Sequence, residues 1–132
     1  MKNIFYVFLL MFALTLSGCS SMTSIYFMST GKIEEPKKES YQVLYQASFG
    51  DQLTADVSYT DENGKKTSLK AVGGAWEKTV ILKAGTRVSL KAIATSKTKS
   101  KAEYKILVDG KVVSEHVLNG KKLKYKYAFD LP

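Results

Sequence analysis

Apolar and polar positions change their spacing twice along the 132-residue chain. From Ile4 to Leu14 the residues form an uninterrupted apolar run, shorter than the roughly 20 residues that a helix needs to cross a bilayer. Residues 20 to 40, "SSMTSIYFMSTGKIEEPKKES", keep no period and mix Gly31, Pro36 and charges of both signs, which reads as a linker. From Tyr41 onward the period becomes two. In "QLTADVSYT", Leu53, Ala55, Val57 and Tyr59 alternate with polar residues. The same alternation returns through Val88, Leu90, Ala92 and Ala94, and again through Leu123, Tyr125, Tyr127 and Phe129. Strands with one apolar and one wet face follow from this pattern.

Turn residues punctuate the strands at Asn63-Gly64, Ala84-Gly85, Asp109-Gly110 and Asn119-Gly120. Asn-Gly and Asp-Gly supply the positive φ angles that a two-residue type I′ hairpin requires. The predicted strands are 41–48, 52–60, 66–72, 76–82, 86–95, 102–109, 111–118 and 121–130. Short strands at this spacing, with no helical period after residue 40, predict an all-β fold: an antiparallel, immunoglobulin-like β-sandwich of seven or eight strands over 41–132. Trp76 shares parity with Val80 and Leu82 and is expected to plug the core. Its replacement by alanine should then cost about 3 to 5 kcal/mol.

The apolar run follows Lys2 and ends in small residues before Cys19, the single cysteine of the chain. A basic start, a short apolar stretch and small residues at a cut site are the layout of a signal peptide, here 1–18. A lone thiol has no disulfide partner within the chain. Leu16-Ser17-Gly18-Cys19 resembles the lipobox of bacterial lipoproteins. That resemblance implies cleavage before Cys19, acylation of its thiol and amine, and anchoring to membrane through the acyl chains. Ser20 in the next position, where such lipoproteins carry their sorting signal, implies the outer membrane and a domain facing the periplasm. Several acyl chains on one residue anchor almost permanently. Residues 19–40 would then be the tether, holding the domain typically about 25 Å from the bilayer. Within it, Ile25, Tyr26, Phe27 and Met28 form an apolar knot. It could meet the membrane interface, the chain's own domain or a partner.

Three motifs recur in order across the rest: "DVSYTDENG" at 56–64, "WEKTV" at 76–80 and "VDGKVV" at 108–113. Together they are similar to the soluble domain of MmpS-type transport accessory proteins. The resemblance implies a membrane-anchored β-sandwich outside the inner membrane that assists a large exporter of the resistance-nodulation-division type. Two departures stand out: a lipobox replaces the family's N-terminal transmembrane helix, and the cysteines that some members carry near the last strands are absent.

Candidate chemistry is thin. His116, the sole histidine, is expected to share a strand face with Ser114 and Val112, away from an obvious second ligand. A metal site needs three or four converging ligands and a serine triad needs an acid to orient its base. Glu34-Glu35 and Asp61-Glu62 fall in the linker and a hairpin loop, where no burial separates their pKa values. Gly73-Gly74 has no helix after it to bind an anion. The expectation is a non-enzyme without cofactor or metal.

Charge carries more content. The net charge is +8, and +7 once Lys2 leaves with the signal. Lys97, Lys99 and Lys101 lie in one stretch and Lys122, Lys124 and Lys126 in another. Such a surface suits an anionic glycan or lipid headgroup; a solvated sheet face that deters edge pairing would look the same. Nucleic acid is excluded, because stacking would need aromatics on the face that bears the lysines. The reading as a whole is an envelope lipoprotein acting as adaptor or accessory subunit of an envelope complex, with a protein partner. An anionic-ligand module is the alternative.

Overall fold

The computed structural model describes residues 24–132, with backbone alone for Ser24, Ile25, Tyr26 and Lys32. The signal segment 1–18, Cys19 and the first residues of the expected tether lie outside the described residues. Seven strands follow one another: β1 Ser24–Lys32, β2 Ser40–Phe49, β3 Thr54–Thr60, β4 Lys66–Val72, β5 Gly74–Lys83, β6 Arg87–Val108 and β7 Lys111–Asp130. The fold is all-β, as the alternation predicts.

The long strands β6 and β7 pair along nearly their whole length and organise everything else. The early half of β6 pairs with β3, which pairs with β4, while its later half pairs with β2, which pairs with β5. The sheet thus folds over into two layers that share the β6–β7 hairpin. The first layer runs β5, β2, late β6, early β7. The second runs β4, β3, early β6, late β7, β1. Inward side chains meet across the layers: Tyr104 stacks on Tyr125 with centroids 4.2 Å apart, and Tyr59 touches both Tyr45 and Trp76.

Two expected breaks between strands, one of them a turn, are continuous strand instead. Segments 86–95 and 102–109 join as β6, and 111–118 and 121–130 join as β7, so Asn119-Gly120 does not make a hairpin. The pairing jumps from Thr95↔Lys122 to Ser100↔Gly120, leaving residues 96 to 99 opposite Lys121 alone. A bulge of this kind bends a strand sharply, and it carries the hairpin round the corner from one layer to the other. At Asp109-Gly110 both residues have positive φ, 47° and 81°, and Val108 pairs with Lys111, giving the expected two-residue turn.

The linker reading of residues 20 to 40 changes over its second half. Ser24–Lys32 forms β1 and pairs in parallel with β7, Ser24 opposite Lys122 and Lys32 opposite Asp130, the one parallel pairing among the described residues. Residues 33 to 39 then cross to β2 under tight restraint. The Tyr41 hydroxyl donates to the Pro36 carbonyl and accepts from the Lys38 amide, and Lys38 Nζ reaches Asp109 at 2.7 Å.

The core is one continuous cluster drawn from both layers. Its largest fully buried members are Tyr41, Tyr45, Tyr104, Tyr125 and Phe129. Trp76 shares the inward parity of Val80 and Leu82 but is only half-buried, because β5 is an edge strand and one flank of the indole meets solvent.

Candidate functional site

Inward parity on the first layer belongs to Ala47, Tyr104 and their neighbours, so the alternate residues point outward. Triplets from four adjacent strands line a groove of about 380 Å³: Gln46 to Ser48, Ala75 to Glu77, Glu103 to Lys105 and Glu115 to Val117. Ala47 and Tyr104 are buried in the core, which puts the groove on the outer face, floored by backbone and walled by outward side chains. The charged groups on those walls are Glu77, Glu103, Glu115 and Lys105. Glu77 accepts from Gln46 Nε2 at 3.3 Å, Lys105 lies 3.8 Å from Glu115, and Lys101 lies 3.2 Å from Glu103.

An apolar row borders the groove. Leu44 of β2 stands opposite Leu107 of β6, which stands opposite Val112 of β7. Ile81 lies on the same face of β5, one row beyond. Ile81, Val112 and Val117 are 64%, 48% and 51% exposed, and all three large side chains look outward from this one layer. The sequence carries a signal for two of them that periodicity alone overlooks. Val80-Ile81-Leu82 and Val112-Val113 place apolar residues at both parities, so each strand has one apolar side chain left over for solvent.

His116 faces inward with Ser114, and its ring lies 3.9 Å from Phe27 and 6.1 Å from Tyr125. The expected shared face with Val112 fails, because a bulge at Val113 shifts the register and turns Val112 outward. Ser114 exchanges a buried hydrogen bond of 3.0 Å with the Tyr125 hydroxyl, whose pKa is pushed up to about 12, chiefly by burial. Burial also raises the Tyr104 hydroxyl, which has no hydrogen-bond partner among the described residues. Among the described residues no group of three His, Cys, Asp or Glu side chains could hold a metal ion.

Of the apolar knot, Phe27 packs on the core by stacking with His116 and Tyr125, while Met28 is exposed opposite Lys126. Ile25 and Tyr26 pair through their backbones with Leu123 and Lys124. Gly31 lets Tyr127 close over it, since a Cβ there would collide with the Tyr127 hydroxyl.

The candidate lysines divide. Lys122, Lys124 and Lys126 stand together on the outer face of the second layer, opposite Thr95, Ile93 and Lys91. Lys91, directly across from Lys126, extends their row and was not singled out by sequence reading, because β6 and β7 must be paired before the two lysines become neighbours. Lys97 and Lys99 project from the corner bulge, and Lys101 lies past it in the first layer. The expected single face is therefore a face plus a corner.

No helix among the described residues is long and apolar enough to cross a membrane. Comparison with curated proteins finds no match. A family model described as "Mycobacterium membrane protein" matches residues 14–129, taking in all three MmpS-like motifs and the whole of β1.

Proposed function

The chain belongs to this Mycobacterium membrane protein family, and from that premise we propose that it is a non-catalytic accessory subunit of an envelope complex, such as an exporter. In this reading it is held at a membrane by acyl chains on Cys19 and engages a protein partner through the outer face of its first layer. The observation that carries the proposal is the exposure of Ile81, Val112 and Val117 on the one face that also holds the groove, with Val117 in its wall. One exposed apolar side chain needs no explanation, but three large ones on a single sheet face, interspersed with charge, mark a protein-binding surface. The family match supports envelope association. The lipobox supports the mode of attachment and the periplasmic side of the outer membrane.

The test compares crosslinking in native membranes for the wild-type chain and an Ile81→Glu, Val117→Glu double variant of unchanged thermal stability. A defined crosslinked partner that disappears in the variant is the expected result. Equal crosslinking by both would refute the face. Membrane retention after Cys19→Ser separately tests the attachment, and full retention would refute acylation as the anchor.

A further inference from the structure

The strands run pole to pole, and charge is unequal between the poles. One pole is formed by the start of β1, the turn at residues 50 to 53, the β4–β5 junction and the β6–β7 corner. It carries Lys97, Lys99, Lys101, Lys121 and Lys122 against Asp51 alone. All five lysines are exposed. Lys101 is shared with Glu103, while Lys97, Lys99, Lys121 and Lys122 make no ion pair among the described residues. The far pole comprises residues 32 to 39, 60 to 66, 83 to 87, 108 to 111 and 130. It holds seven carboxylates against eight cations, close to neutral.

The lysine pole is also where the chain enters. β1 begins at Ser24, opposite Lys122, and the apolar run of residues 4 to 14 lies just upstream. If Cys19 is the anchor, four residues separate it from Ser24, five residue steps that span about 17 Å when fully extended. The β1 strand therefore shortens the tether expected from sequence and keeps this pole close to the lipid.

We propose that this pole rests on anionic lipid headgroups of the membrane that holds the chain, through Lys97, Lys99, Lys121 and Lys122, with Lys101 at its margin. The inference builds on the membrane-held reading above. It sets the strands along the bilayer normal, so that the groove face looks sideways toward a partner in the same membrane. Lysines near such a surface each strengthen contact by roughly fivefold, and salt removes the gain as the screening length falls from ~8 Å at 0.15 M to ~3 Å at 1 M.

The experiment uses the full chain reconstituted on vesicles carrying a spin-labelled lipid headgroup. One set is phosphatidylcholine alone and the other is phosphatidylcholine with phosphatidylglycerol. Flotation with the neutral vesicles reads the anchor. Paramagnetic broadening of backbone amides reads the pole. Expected is broadening at residues 96 to 101 and 120 to 122, but not at 61 to 65, on the anionic vesicles. The excess over the neutral vesicles should fall about fivefold for each of Lys97→Gln, Lys99→Gln and Lys121→Gln, and vanish at 1 M salt. Equal broadening at both poles, or no dependence on phosphatidylglycerol, overturns the proposal and leaves the pole to an acidic protein surface. Loss of flotation with pole-specific broadening retained would instead overturn the anchor and leave the pole assignment standing.

Discussion

Two core tyrosines of similar depth should respond in opposite ways to losing their hydroxyls. Tyr45 donates to the Thr60 carbonyl at 2.8 Å within the core, so Tyr45→Phe orphans a buried acceptor and should cost about 1 to 2 kcal/mol. The Tyr104 hydroxyl is buried without a partner among the described residues, so Tyr104→Phe should be neutral or stabilise by up to about 1 kcal/mol. Urea unfolding of both variants checks the contrast, and equal losses would contradict it. Acid should act through two carboxylates. The Lys38 ammonium and the Gln42 amide hold Asp109 below the usual carboxylate range; the Thr67 hydroxyl and the Lys65 and Asn63 amides do the same for Asp61. Their folded pKa values are depressed, so their stabilisation is present above the ordinary value of about 4 and is lost as pH falls through the folded values. The melting temperature should drop below about pH 4, less steeply in Asp61→Asn and Asp109→Asn; an unchanged slope would exclude both groups. At this scale the sequence was partly legible. Parity placed Trp76 inward, but only the sheet order shows that it sits on an edge strand. Trp76→Ala should therefore cost roughly 3 kcal/mol, the lower end of the range for a buried aromatic.

Elements were legible where local chemistry decides them and illegible where distant pairing does. Asp109-Gly110 forms its hairpin because both residues can adopt positive φ and nothing else competes. Asn119-Gly120 carries the same signal, yet β7 runs on, because its neighbour β6 continues alongside and the bulge at 96 to 99 absorbs the bend. β1 has no period-two alternation across its whole length, and its partner strand lies about a hundred residues away, so no local pattern announces it. Its seat depends on the missing side chain at Gly31. Gly31→Ala should displace Tyr127 and free β1 while the remaining strands persist. Amide exchange should then accelerate across 24–32 far more than across β2 or β3; uniform acceleration, or none, would contradict this.

At the scale of the whole molecule, the sandwich itself was readable from alternation and turns, and the apolar outer face was not. A face exists only once four strands are laid side by side, and Ile81 and Val112 come to share one outer face through that order alone. The shared hairpin also ties the two layers into one cooperative unit. Fluorescence of Trp76 in the first layer and amide exchange in β3 of the second should give the same denaturant midpoint; separated midpoints would show that each layer melts alone. The pairing of β1 with residues 122 to 130 has a further consequence, for the order of assembly. A chain emerging from a ribosome or a translocation pore delivers β1 about a hundred residues ahead of its partner, so this edge cannot close until residues 122 to 130 are out. Until then the polypeptide stays threadable, and the emergence of residues 122 to 130 becomes the event that locks the domain shut.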